Sequence, residues 1–162
     1  MKNFTQKFIG LFALVFAMTF TANSQEIGDI YQGGYIFQIN EDGTGLVADL
    51  EDLGQMNWNA AMDAAESATS QGYDDWYLPS LDELLEMYYT IGGDGDSQNN
   101  IGNFADFWYF SSTEYNSSSV YFVWFTHGFN AAGSKNAPGM VRVIRSVAFG
   151  EDENTEDDTT AS

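Results

Sequence analysis

No cysteine occurs in the chain. A disulfide framework is therefore excluded, and thiol catalysis and thiolate metal sites go with it. The fold has to hold by packing, or by packing plus a bound cation. Aromatic residues supply what the packing needs. Thirteen Phe, nine Tyr and four Trp are large enough to fill a core that is poor in Leu and Ile.

The N-terminus has the three parts of a secretory signal. Lys2 and Lys7 give a positive start, Phe8 to Phe20 is an apolar run, and Ala22-Asn23-Ser24 is a small-x-small cleavage site. The run is shorter than the roughly 20 residues needed to span a bilayer. Residues 1–24 thus read as a cleaved signal peptide, and the protein is expected to be exported to the periplasm, the cell surface or the medium. No later segment is apolar enough for an integral membrane span.

Beyond the signal, Lys135, Arg142 and Arg145 face all 24 Asp and Glu. A surface this acidic repels nucleic acid and anionic lipid, and it argues against anionic polysaccharide as a direct ligand. It favours cations, neutral sugars or solubility in a salty medium, where screening relieves self-repulsion. Residues 151–162 carry six acids and little that is apolar, and read as a disordered acidic tail. Residues 25–150 are left as one domain with a single core.

Within that domain, Ile30 to Ile39 reads as a strand with a bulge or kink at Gly33-Gly34. A turn at Asn40–Gly45 leads into a second strand at Leu46–Ala48. Asn57 caps a first helix running to about Ser70, with Trp58, Ala61, Met62, Ala65 and Ala68 on one face and Gly72 closing it. Ser80 and Glu83 form a capping box for a second helix, whose apolar face is Leu81, Leu84, Leu85, Tyr88 and Ile91. Long loops are expected over Gly92–Asp106 and Gly128–Gly139. Phe107–Ser111, Val120–Thr126 and Met140–Ala148 read as strands. Strands, then two helices, then strands indicate an α+β fold with two helices packed on an antiparallel sheet.

Four segments in order carry a resemblance. They are Gly33-Gly34-Tyr35-Ile36-Phe37 with Gly45–Ala48; Asn57–Ala61 with Trp76-Tyr77-Leu78-Pro79-Ser80 and Glu83-Leu84; Phe107–Glu114; and Gly139–Arg145. From about Gly28 to Val147 the chain resembles the Lcl C-terminal domain family, the C-terminal domain of bacterial collagen-like adhesins. The resemblance implies a C-type-lectin-like fold related in shape to formylglycine-generating enzymes, and a role in adhesion or carbohydrate binding. The chain departs from the family pattern in three places. A first-helix Cys is missing, Tyr77 stands where Arg is usual, and Phe110 stands where Trp is common. No collagen-like Gly-x-y stretch precedes the domain, and formylglycine-generating chemistry requires cysteines that are absent.

Trp58, Trp76, Leu78, Pro79, Ser80, Glu83, Trp108, Ser111 and Ser112 are expected to build core, turns and caps. At least one of Arg142 and Arg145, on opposite faces of a single strand, is expected to pair with an acid or cap loop carbonyls. Asp94 and Asp96, with Asn99 and Asn100, are candidate oxygen ligands for Ca²⁺, although no bidentate Glu follows at EF-hand spacing. Tyr115, Trp124, His127 and Lys135 are the candidate ligand-binding residues. Strand alternation puts Tyr121 and Val123 on one face and Phe122 and Trp124 on the other, so that one set is core and the other is either ordinary surface or an exposed aromatic platform. The lone His127 argues against a Ser–His nucleophile or a His-rich zinc site.

The expected function is non-catalytic binding of a glycan or surface protein through the long loops. The alternatives are a self-associating subunit of a surface assembly and, least favoured, a hydrolase.

Overall fold

The computed structural model describes residues 25–93 and 99–150. The signal peptide, the acidic tail, Asp94 and Asp96 lie outside the described residues.

Among the described residues, nine strands form two sheets and two α-helices accompany them, an α+β arrangement. The four-stranded sheet has the order β1 (Ile30–Tyr31), β2 (Gly34–Ile39), β3 (Thr44–Asp49), β9 (Ile144–Ala148). The five-stranded sheet has the order β4 (Gly54–Met56), β8 (Gly139–Val141), β5 (Trp108–Asn116), β6 (Ser119–Trp124), β7 (Phe129–Ser134). Pairing is antiparallel except for one parallel bridge between Tyr109 and Met140.

Strand alternation sends side chains into two cores rather than the expected one. Ile36, Val47, Phe110, Val120 and Val143 join the first, under α1 (Trp58–Glu66), which contributes Trp58, Ala61 and Ala65. Phe37, Leu46, Tyr109, Val123 and Ile144 join the second, under α2 (Leu81–Ile91), which contributes Leu84, Met87, Tyr88 and Ile91. Neighbouring residues of one strand thus face different helices.

Both caps form as the sequence indicates. The Asn57 side chain accepts from Ala60 N, and the Ser80–Glu83 capping box is reciprocal. Four expectations need correction. The Gly33-Gly34 segment is not a kinked strand but a hairpin. Gln32 and Gly33, at φ 43° and 85°, form a two-residue turn that needs positive φ at both positions; the irregularity in β2 falls between Ile36 and Gln38. The first helix stops at Glu66, where the Ser67 hydroxyl turns back onto Asp63 O at 2.7 Å, and a 3₁₀ turn over Ser70–Gly72 follows. Ala68 still reaches the core, whereas Met62 is exposed. The Gly128–Gly139 loop contains β7. Finally, Met140–Ala148 is not one strand. It breaks at Arg142-Val143, so that β8 belongs to one sheet and β9 to the other.

Candidate functional site

β5, β6 and β7 form a wing at the end of the five-stranded sheet. Directly paired residues share a face, and the register aligns Trp108 with Trp124 and Trp124 with Phe129. The next row on that face is Phe110, Phe122 and Ala131. Several of these rings are in contact. Trp108 meets Phe122 edge-on at 4.6 Å and Phe110 at 5.7 Å, while Phe107 lies 6.2 Å from Trp124. At Gly133 an added Cβ would come within 3.0 Å of Phe122 and 3.2 Å of Trp108, so the missing side chain is what lets both rings lie across β7. The result is one aromatic stripe. It begins in the first core at Phe110 and runs outward to Trp124, 37% exposed, and Phe129, 62% exposed. Trp124 donates its indole N–H to Thr126 Oγ1 at 2.8 Å. Its polar edge is thereby satisfied within the chain, and the apolar ring is what remains to be offered. Tyr115 and Tyr121, edge-on at 5.5 Å, occupy the opposite face.

The three cations of the described chain are all committed. Each pairs with one acid and lies over an aromatic ring. Lys135 bonds Glu114 and sits 4.3 Å from the Trp58 ring centre. Arg142 bonds Asp52 through Nε at 2.7 Å, the carbonyls of Asp49 and Gly102 through Nη1, and lies 4.3 Å over Phe104. Arg145 bonds Asp75 through Nε at 2.6 Å, Gln32 O through Nη1, and lies 3.8 Å over Tyr73. At least one structural arginine was expected, and both serve that role. Burial pushes the Tyr109 hydroxyl well above its ordinary pKa, and the charge of Asp52, which accepts its proton at 2.8 Å, adds to the effect. The Arg145 hydrogen bond holds Asp75 below the usual carboxylate value of 3.8. Burial first, and Glu83 second, raise Tyr77 to about 12.

The remaining motif residues fasten the elements together. The Trp58 indole donates to Ser111 O and the Trp76 indole to Ser70 O, both at 2.9 Å. Ser111 Oγ donates to Tyr121 O and Ser112 Oγ to Pro79 O, while Thr113 Oγ1 accepts from Leu81 N. This row of hydroxyls ties β5 to β6 and to the start of α2. Leu78 and Pro79 are buried beside it.

The sequence model of the Lcl C-terminal domain matches residues 38–145. The chain belongs to the Lcl C-terminal domain family. The matched span runs from β2 to Arg145, slightly inside the span read from the motifs, and it includes both helices, both arginine anchors and the whole aromatic wing. Membership points to an adhesin-like, surface-associated module. No curated protein matches the chain. Among the described residues of this Lcl domain, no helix is long and apolar enough to cross a membrane.

The four candidate ligand residues are not brought to one spot. Trp124 is in the aromatic stripe, and His127 is exposed in the adjoining β6–β7 turn, where its backbone N–H donates to Trp124 O. Tyr115 is on the opposite face, and Lys135 is tied to Glu114 at the far end of the hairpin. The hydroxyls of Ser111, Ser112 and Thr113 bond to backbone rather than to His127. Of the candidate Ca²⁺ ligands, Asn100 spends both amide atoms on the backbone of Phe104, at 2.8 Å each. Among the described residues no three His, Cys, Asp or Glu side chains converge on a metal position. Asp94 and Asp96, the two carboxylates of the candidate Ca²⁺ set, lie outside the described residues.

Phe129 is the residue that sequence reasoning missed. It falls in a stretch, Gly128–Gly139, whose small polar residues read as loop. The stretch alternates poorly, and without the register to β6 nothing in the sequence showed that Phe129 extends the Trp124 row.

Proposed function

We propose that the chain is an exported, non-catalytic binding module whose ligand is a neutral glycan seated on the aromatic face of β5–β6–β7. The alignment of Trp108, Trp124 and Phe129 on one exposed face carries the reading. Exposed Trp and Phe rings stack on the C–H faces of sugars and need no charge to do so. Every described cation is already committed to an acid and a ring, and the chain carries a net charge of −19. An anionic glycan would meet repulsion with no free cation to offset it. The signal-like residues 1–24 and membership in an adhesin-type family support export and surface placement.

Intrinsic tryptophan fluorescence of the mature chain, titrated with neutral oligosaccharides, tests this. Binding should change little between about 0.05 and 0.5 M salt, because no charge pair is made. Trp124→Ala with Phe129→Ala should weaken it at least tenfold, about 1.4 kcal/mol. Binding that survives both substitutions, or that weakens steeply with salt, would remove the aromatic face as the site.

A further inference from the structure

Four strands stand at sheet edges among the described residues, and three of them are guarded. β1 is two residues long, β4 is three, and β9 carries the ion-paired Arg145 and is bridged at Ile144 by Tyr77. β7 is different. It is six residues long, pairs on one side only, and contains neither charge nor proline. Unpaired edges of this kind are templates for another strand, and natural proteins usually block them with charge, proline, bulges or brevity.

The sequence around β7 sharpens the contrast. From Tyr115 to Ser134, twenty residues, there is no Asp, Glu, Lys or Arg, in a chain that has 24 acids. The two charges that bracket this stretch, Glu114 and Lys135, are bonded to each other. The whole β6–β7 hairpin is thus an electrically neutral flank on a strongly anionic protein. Asn130 and Ala132 on the edge strand are exposed, as is Phe129 at its start.

We propose that β7 is a self-association edge, pairing antiparallel with β7 of a second copy of this chain across a two-fold axis. Two copies this acidic repel each other at most orientations, and the neutral hairpin is the flank that can approach its own image. Antiparallel pairing places the two Glu114–Lys135 pairs at opposite ends of the junction, so no like charges meet. The interface is isologous, and so closes as a dimer. Backbone N–H and C=O groups supply the bonds, and the small residues Ala131, Ala132 and Gly133 let the strands come together. The axis stands perpendicular to the extended sheet, which leaves both aromatic faces on one side. The inference does not rest on the glycan reading.

The absence of cysteine makes the test clean. Ala132→Cys should give a disulfide-linked dimer under mild oxidation, at least tenfold faster than Asp63→Cys on the exposed side of α1. Light scattering of the mature chain at about 100 µM should show a dimer whose fraction rises with salt, as screening relieves the remaining repulsion. Ala132→Glu, which places two carboxylates at the junction, should return it to monomer with unchanged circular dichroism. A monomer at that concentration in high salt, a dimer that persists in Ala132→Glu, or equal cross-linking of the two cysteine variants would overturn the proposal. The dimer should survive Trp124→Ala with Phe129→Ala, and glycan binding should survive Ala132→Glu, so either idea can fail alone.

Discussion

Arg142 and Arg145 are three residues apart, yet they anchor different halves of the protein by different means. Arg142 occupies the break between β8 and β9 and is fully buried. Its guanidinium gathers the β3–β4 connection through Asp49 and Asp52 and the 99–106 segment through Gly102 and Phe104, a member of the second core. Arg145 belongs to β9 and lies over Tyr73 and Trp76 on the first-core side, holding the β1–β2 turn through Gln32 O. The larger difference lies in the partners. The Asp52 side chain is only 16% exposed, whereas that of Asp75 is 51% exposed. An ion pair binds a structure together in proportion to what is stranded when it is broken. Water can take over the solvation of Asp75. It has poor access to Asp52, whose other oxygen is held by the Tyr109 hydroxyl.

The largest expected effect follows from that contrast. Arg142→Met should destabilise the fold by about 3–5 kcal/mol, because it strands a largely buried carboxylate and frees two loop carbonyls. Urea unfolding should show the midpoint falling with little change in slope. Arg145→Met should cost only about 1–2 kcal/mol, mostly lost stacking on Tyr73 and Trp76 and one carbonyl bond. Equal losses in the two variants would show that partner exposure does not govern the difference.

pH should separate the two anchors as well, with a smaller effect. The folded pKa of Asp75 is depressed, so its contribution is present above the unfolded value near 3.8 and disappears as pH falls through the lower folded value. The folded pKa of Tyr109 is raised, so its contribution is intact below the ordinary value of 10 and is lost as pH climbs towards the folded one. Asp75→Asn should therefore flatten the acid limb of the stability profile, and Tyr109→Phe the alkaline limb. Tyr77, raised to about 12, leaves some alkaline slope in Tyr109→Phe. If the two substitutions flattened the opposite limbs, the assignment of one group to each anchor would be wrong.

Local features were legible in the sequence wherever the physics is local. The Ser80–Glu83 capping box and the Asn57 cap depend on residues within a single turn, and both form. The apolar spacing of α2 was also readable, although it omitted Met87, which packs fully in the second core. Where a neighbour distant in sequence decides the outcome, reading by pattern failed. Phe129–Ser134 has no β-branched residue and alternates poorly, and it becomes a strand because β6 offers it a ladder and Gly133 makes room for Phe122 and Trp108. Arg142-Val143 reads as strand interior, and it is a crossing between sheets because the guanidinium has carbonyls and a carboxylate to reach on either side.

The sequence by itself determined the family, the α+β order of elements, the helix caps, the absence of disulfides and the unequal distribution of charge. Each of these is a matter of residue identity at short range or of a simple count. Only the tertiary structure decided that the core is double, that the three cations among the described residues are consumed by acid and ring, and that Trp108, Trp124 and Phe129 share one face beside an unguarded edge. Those outcomes depend on strand register. A shift of one residue would turn every side chain of a strand to the other face, and register is fixed by packing against partners that the linear pattern does not name.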